Sequence, residues 1–145
     1  MKVVNKKARF DYFIEDTFEA GIVLYGHEVK AVKTGQIDLF GSHVRIIGGE
    51  AYLIGARIYT YKFAKPEGYD EKRTRKLLLH KKQIISLKGK LESSNFTLVP
   101  LSIYVKDRFI KVEVGLGKGK KKYDKKEAIK KQDLDRDLER DVFSN

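Results

Sequence analysis

Val44-Arg45-Ile46-Ile47-Gly48-Gly49-Glu50-Ala51-Tyr52-Leu53-Ile54 is the stretch from which the fold can be read. Two apolar runs flank a glycine pair, and that pair tolerates the positive φ angles that both central residues of a tight hairpin turn require. The stretch therefore predicts two antiparallel strands with a short turn. Downstream, residues 56–63 continue as strand, and residues 65–76 are almost entirely polar with Pro66 and Gly68, which predicts an exposed loop. Leu77-Leu78-Leu79 returns to the core, and Ile84, Leu87 and Leu91 at helical spacing predict a helix that ends before Ser93-Ser94-Asn95. Residues 96–105 form a further strand, with Pro100 marking an edge or a bulge. A turn at Lys106-Asp107-Arg108 leads to a last strand in which Ile110, Val112, Val114 and Leu116 share a face.

Upstream, residues 9–24 alternate. Phe10, Tyr12 and Ile14 share one face and, after a break at Glu15-Asp16, so do Phe18, Ala20, Ile22 and Leu24, which predicts one long interrupted strand. Val29 and Val32 within residues 26–33, followed by Thr34-Gly35, predict a short helix closed by glycine. Many short strands, two short helices and no βαβ rhythm make the chain mainly β: an antiparallel barrel of the OB type with flanking helices. There are no internal repeats.

The whole chain has 145 residues, enough for one domain, and 41 % of them are hydrophobic, including 8 Phe and 8 Tyr, enough to fill one core. With no cysteine, disulfide scaffolds, thiolate nucleophiles and sulfur-ligated zinc are excluded, and a reducing cytoplasm is the expected compartment. No apolar run reaches the roughly 18 residues of a membrane span, and the basic start Met1-Lys2-Val3-Val4-Asn5-Lys6-Lys7 lacks the apolar stretch of a signal peptide. The net charge of +11 points to a polyanionic partner, nucleic acid first. Residues 1–117 carry net +8 and residues 118–131 net +6, whereas residues 132–145 carry net −3. The chain is therefore expected to divide into a barrel, 1–117, and a tail, 118–145. Leu134, Leu138 and Val142 repeat every four residues, so the tail is expected to be weakly helical alone and to order on a partner.

Catalytic motifs are missing. His27-Glu28 opens like a zinc-protease helix, but Ala31 stands where the second histidine must be, and His27, His43 and His80 are far apart. Gly115, Gly117 and Gly119 before Lys120 lack the spacing of a phosphate loop and are expected to loosen a strand end. No metal and no cofactor is expected. Binding has better candidates. Arg73-Thr74-Arg75-Lys76 ends the polar loop, where guanidinium groups can fork onto phosphate oxygens, although such charges also serve simply to solubilise a loop. Arg57, Tyr59, Tyr61 and Phe63 share a strand face and can stack bases, but alternating aromatics are more often core. Glu28 can accept hydrogen bonds from base amino groups, or simply favour the positive end of its helix.

Taken together, these segments resemble the SmpB family, the tmRNA-binding or SsrA-binding proteins of bacteria. The likeness is carried by Asn5-Lys6-Lys7-Ala8, by Glu19-Ala20-Gly21-Ile22-Val23-Leu24 with Gly26-His27-Glu28-Val29-Lys30, and by Arg73-Thr74-Arg75-Lys76-Leu77-Leu78-Leu79-His80. It continues through Thr97-Leu98-Val99-Pro100-Leu101, Gly115-Leu116-Gly117-Lys118-Gly119-Lys120-Lys121 and Tyr123-Asp124-Lys125. The resemblance implies a non-enzymatic barrel that binds the tRNA-like domain of tmRNA and helps deliver it to stalled ribosomes for trans-translation. It also implies a tail that enters the empty mRNA path, against small-subunit RNA near the decoding centre. The family's RNA-facing positions match Asn5, Glu28 and Lys30, and Lys6, Arg73, Arg75, Lys76 and Lys111 join them as candidates. Gly119, Lys120, Lys121, Asp124, Lys125 and Lys126 match the family's tail motif. The elongation factor complex that carries tmRNA is a further expected partner, and a monomer is the expected form. Departures are Ala31 for a frequent Ser, Lys33 and Lys126 for common Arg, and an acidic stretch at 133–141. Without the motifs, a general single-strand-binding module or a basic ribosome-associated protein fits the composition equally well, and a carboxylate hydrolase is the remaining alternative.

Overall fold

The computed structural model describes residues 1–60 and 66–120. The predicted hairpin is there: strand β4 (His43–Ile47) pairs with β5 (Glu50–Ile54), and Gly48 and Gly49 turn the chain at φ 58° and 78°. Two consecutive positive φ angles match the right-handed twist of the flanking strands, so Val44, Ala51 and Leu53 all face inward. From this hairpin the sheet grows in both directions. Strand β7 (Arg75–Leu78) pairs with β5, the long β2 (Tyr12–Ile22) with β7, and β9 (Phe109–Gly119) with β2. Strand β8 (Thr97–Lys106) pairs with β9 and returns to β4 through Val44 opposite Leu98. Every pairing is antiparallel, and closure of the ring removes the exposed edges that invite aggregation. The short β1 (Lys2–Val4) covers the remaining stretch of β8, and β3 (Ile37–Asp38) pairs with β6 (Arg57–Ile58) beside the barrel. The interior holds Leu53, Ile58, Leu77, Leu98, Ile103, Val112, Val114 and Leu116, none more than 1 % exposed.

Two helices occupy the predicted places. Helix α2 (Gly26–Lys33) buries Ala31 and Val32 and ends where the Thr34 hydroxyl donates to the Ala31 carbonyl at 2.9 Å and Gly35 takes φ 76°. Helix α3 (Lys81–Ser93) buries Ile84 and Leu87, and Leu87 joins the core of the barrel. The predicted irregularities are also real. The β2 register with β9 shifts between Ile14 and Asp16, and the β8 register with β9 shifts between Pro100 and Ser102.

Four expectations need correction. Residues 9–11 are not strand: they end helix α1 (Lys6–Asp11), whose cap Asn5 accepts the Ala8 N–H through Oδ1 at 3.3 Å. Among residues 56–60 only Arg57–Ile58 is strand, and Tyr61 and Phe63 lie outside the described residues. The polar stretch 65–76 is not wholly an exposed loop, because Arg75 is strand and completely buried. Gly115 and Gly117 do not loosen a strand end. A Cβ on Gly115 would stand 2.8 Å from Leu101 Cδ1, and one on Gly117 would stand 2.8 Å from the Phe13 carbonyl oxygen, so these residues let β9 pass close to its neighbours. Strand β9 itself runs to Gly119, and the Lys120 N–H donates to the Asp11 carbonyl at 2.7 Å.

Candidate nucleic-acid interface

Glu28 sits in the first turn of α2, where the helix dipole favours an acid, yet its side chain is completely buried. Such a charge is tolerated only if its lone pairs are filled. They are. The carboxylate accepts the Tyr25 N–H at 2.8 Å, the Tyr69 hydroxyl at 2.9 Å, Arg73 Nε at 3.2 Å and Arg75 through Nε at 3.0 Å and Nη2 at 2.7 Å. Arg73 Nη2 makes a further, closer bond. Burial alone pushes the Glu28 carboxyl up, but the bonds from Arg73, the Tyr25 N–H, Arg75 and Tyr69 outweigh it and hold the group at about 2, well below the ordinary 4.5. Burial, followed by donation to Glu28, pushes the Tyr69 phenol up to about 12.

Arg75, fully buried, spends its other donors on the Ala56 carbonyl at 2.6 Å, the Glu71 carbonyl at 2.9 Å and the Tyr69 hydroxyl at 2.9 Å. The expected phosphate fork at Arg75 and base acceptor at Glu28 are thus both buried here, with their polar atoms bonded inside the protein. Asn5, 8 % exposed, is used likewise, donating through Nδ2 to the Pro100 carbonyl at 2.9 Å and the Leu39 carbonyl at 3.4 Å. It ties the start of α1 to β8.

The other candidates reach solvent. Arg73 keeps 23 % of its side chain exposed and lies with its Cζ 4.0 Å from the centre of the exposed Tyr25 ring. Lys6 and Lys30 are exposed, and Lys76, also exposed, pairs with Glu50 at 3.4 Å. Lys111 is half-buried on β9 and borders a groove of about 370 Å³ with Glu19, Gly21, Leu78, Leu79, His80 and Gln83. Glu19 accepts the Tyr104 hydroxyl at 2.5 Å and Lys106 Nζ at 3.4 Å, and the Tyr104 bond leads the causes that lower its carboxyl. Leu78 and Phe109 stand more than half exposed beside Lys111. A groove with a cation, a carboxylate and bare apolar side chains offers a nucleotide a phosphate partner, a hydrogen-bond acceptor and a stacking or sugar contact. Of these residues only Lys111 was singled out in the sequence. Alternation through 76–78 would have marked Leu78 as outward.

At the other end of β2, Lys120 Nζ donates to the Arg9 carbonyl at 3.3 Å and lies 5.0 Å from the centre of the half-exposed Phe13 ring. Gly119 closes β9 beside it with open space around its Cα. Lys121, Asp124, Lys125 and Lys126 lie outside the described residues. Arg57 stacks on Tyr59 at 4.8 Å and pairs with Glu71 at 3.0 Å. Among the described residues no cluster of His, Asp and Glu could hold a metal, and no helix is long and apolar enough to cross a membrane.

Comparison with known proteins identifies the family of the chain. The model of the SmpB protein family matches residues 2–144. The SsrA-binding protein of Oceanobacillus iheyensis is 50 % identical over 139 residues, covering 95 % of this chain and 90 % of its own. That of Shouchella clausii is 49 % identical over 138 residues, covering 95 % and 88 %, and that of Enterococcus faecalis 48 % over 141 residues, covering 97 % and 92 %. A chain from a solved structure of tmRNA-SmpB and the bacterial ribosome superposes with a TM-score of 0.69 at 44 % identity, covering 88 % of this chain and 94 % of that one. With the family pattern spanning nearly every residue and the barrel superposing on a solved relative, this chain belongs to the SmpB family.

Proposed function

We propose that this protein binds the tRNA-like domain of tmRNA and helps deliver it to stalled ribosomes for trans-translation. The observation that carries this reading is the likeness, along most of the chain, to a protein solved with tmRNA and the bacterial ribosome. The barrel supplies the RNA-holding surface: Lys6, Lys30, Lys76 and Lys111 reach solvent and can release counterions from phosphates, while Arg73 stands half-free on Tyr25. Asn5, Glu28 and Arg75 act behind that surface by fixing its backbone. Catalysis has no part in the reading. The protein works as a binding module in the cytoplasm, as a monomer without metal or cofactor, and meets tmRNA together with the elongation factor complex that carries it.

The remainder, from Lys121 onward, occupies the empty mRNA path near the decoding centre, where Lys121, Lys125 and Lys126 follow small-subunit RNA and Asp124 orients them. Lys118, Gly119 and Lys120 link this segment to the barrel. A titration at two salt concentrations tests the main claim, with tmRNA set against mature tRNA and unstructured RNA. The protein should prefer tmRNA at matched salt. Equal affinity for all three with a steep salt slope would mean a general polyanion binder. For the tail, Lys121→Ala with Asp124→Ala should retain tmRNA binding and lose tagging of stalled chains in reconstituted translation, and tagging at the wild-type rate would remove the tail from the mechanism.

A further inference from the structure

We propose that the exposed face of Tyr25 is a stacking ledge for one base of the bound RNA, held in position from beneath by Arg73 and Glu28. This rests on the reading above and names a contact for it. Tyr25 stands between β2 and α2 with more than half of its surface open. Its ring is nevertheless not free to wander. The Arg73 guanidinium packs 4.0 Å from its centre, and Arg73 is itself tied to both oxygens of the buried Glu28. The backbone beneath is fixed as well, by the Tyr25 N–H on Glu28 at 2.8 Å. An exposed aromatic with one face clamped and the other open has already lost the entropy that a mobile side chain would lose on binding.

The neighbours make the ledge wider. The His27 ring lies 5.9 Å from Tyr25 and meets Tyr69 edge-on at 4.5 Å and 87°. The Tyr69 hydroxyl oxygen in turn lies 3.2 Å from the Ile58 carbonyl, next to the Arg57–Tyr59 stack. Two arginine–tyrosine stacks are thus linked to one buried carboxylate, one directly through Arg73 and the other through Tyr69 and Ile58. Planar faces backed by guanidinium charge suit a base on a polyanion, because every base has a π face and the nearby cations attract the phosphates that carry it.

Replacement of Tyr25 separates the outcomes. Tyr25→Ala should weaken tmRNA binding by roughly 5- to 150-fold, the worth of one base–aromatic stack, and leave the salt slope unchanged since no counterion is involved. Tyr25→Phe should bind like the wild type. The chain has no tryptophan, so Tyr25→Trp adds a single reporter whose fluorescence should be quenched when tmRNA binds. Wild-type affinity in Tyr25→Ala, or an unquenched Trp in a bound complex, overturns the ledge. So does Tyr25→Ala that binds tmRNA normally but fails to tag stalled chains, because the face would then serve a protein or the ribosome. Absence of any tmRNA preference in the wild type would instead overturn the function on which the ledge rests.

Discussion

Glu28 and Glu19 make the same kinds of contact and serve opposite ends. Each accepts a tyrosine hydroxyl and a cation, Tyr69 with Arg73 and Arg75 in one case, Tyr104 with Lys106 in the other. Glu28 is completely buried, whereas 37 % of the Glu19 side chain meets water. Water decides the difference. Around Glu28 each charge relies on its partners for solvation, so removal of one strands another; around Glu19 solvent replaces whatever is lost. The excess of positive charge is therefore not one population. Arg75 belongs to the interior of the fold, while Lys111, a neighbour of Glu19 across the groove, sets its ammonium 5.8 Å from the centre of the exposed Phe109 ring.

The harshest way to break this comparison is Arg75→Ala. It leaves the Glu28 carboxylate short of two charged hydrogen bonds and should cost about 3–5 kcal/mol in denaturant unfolding. A cost under about 1 kcal/mol would place the cluster with the surface pairs. Acid titration comes next. The Glu28 carboxyl is held at about 2 in the folded protein against 4.5 when free, so its contribution is full above about pH 5 and is lost as pH falls towards 2. That contribution is on the order of 3 kcal/mol. Stability of Glu28→Gln should accordingly fall less steeply over that range than stability of the wild type; parallel acid limbs would contradict the assignment.

The groove should answer differently. Lys111→Ala should leave the unfolding midpoint nearly unchanged yet lower the salt slope of tmRNA binding by about one unit. The smallest effect is expected for Glu19→Gln on stability, which should move the midpoint within the error of measurement. A large loss there would mean that the Tyr104 bond is structural.

What was legible in the sequence was what local chemistry settles. Gly48-Gly49 fixed one turn, Thr34-Gly35 one helix end, and Ile84 with Leu87 one helical face, and all three stand as read. Helix α1 was hidden because the alternation of Phe10, Tyr12 and Ile14 spoke for strand, and Asn5, which caps the helix, was read only as an RNA-facing position. Arg75 was misplaced for a different reason. Its polar neighbours suggested a loop, although it lies two residues before Leu77 and shares that residue's inward face. Counting by twos from Leu77 would have placed a charge inside the barrel and raised the search for a partner such as Glu28. Gly115 and Gly117 depend on how near Leu101 and Phe13 come from other strands, a distance no local pattern carries.

The central claim, that RNA is held by the exposed cations while the Glu28 cluster only supports them, is tested most directly by the salt dependence of tmRNA binding in three proteins. These are the wild type, Lys111→Ala, and Glu28→Gln combined with Arg75→Met, which removes one buried charge of each sign. The account predicts a slope lower by about one unit for Lys111→Ala alone, with the double variant, once shown to be folded, parallel to the wild type. A slope lowered by about one unit in the double variant would show that Arg75 meets a phosphate after all.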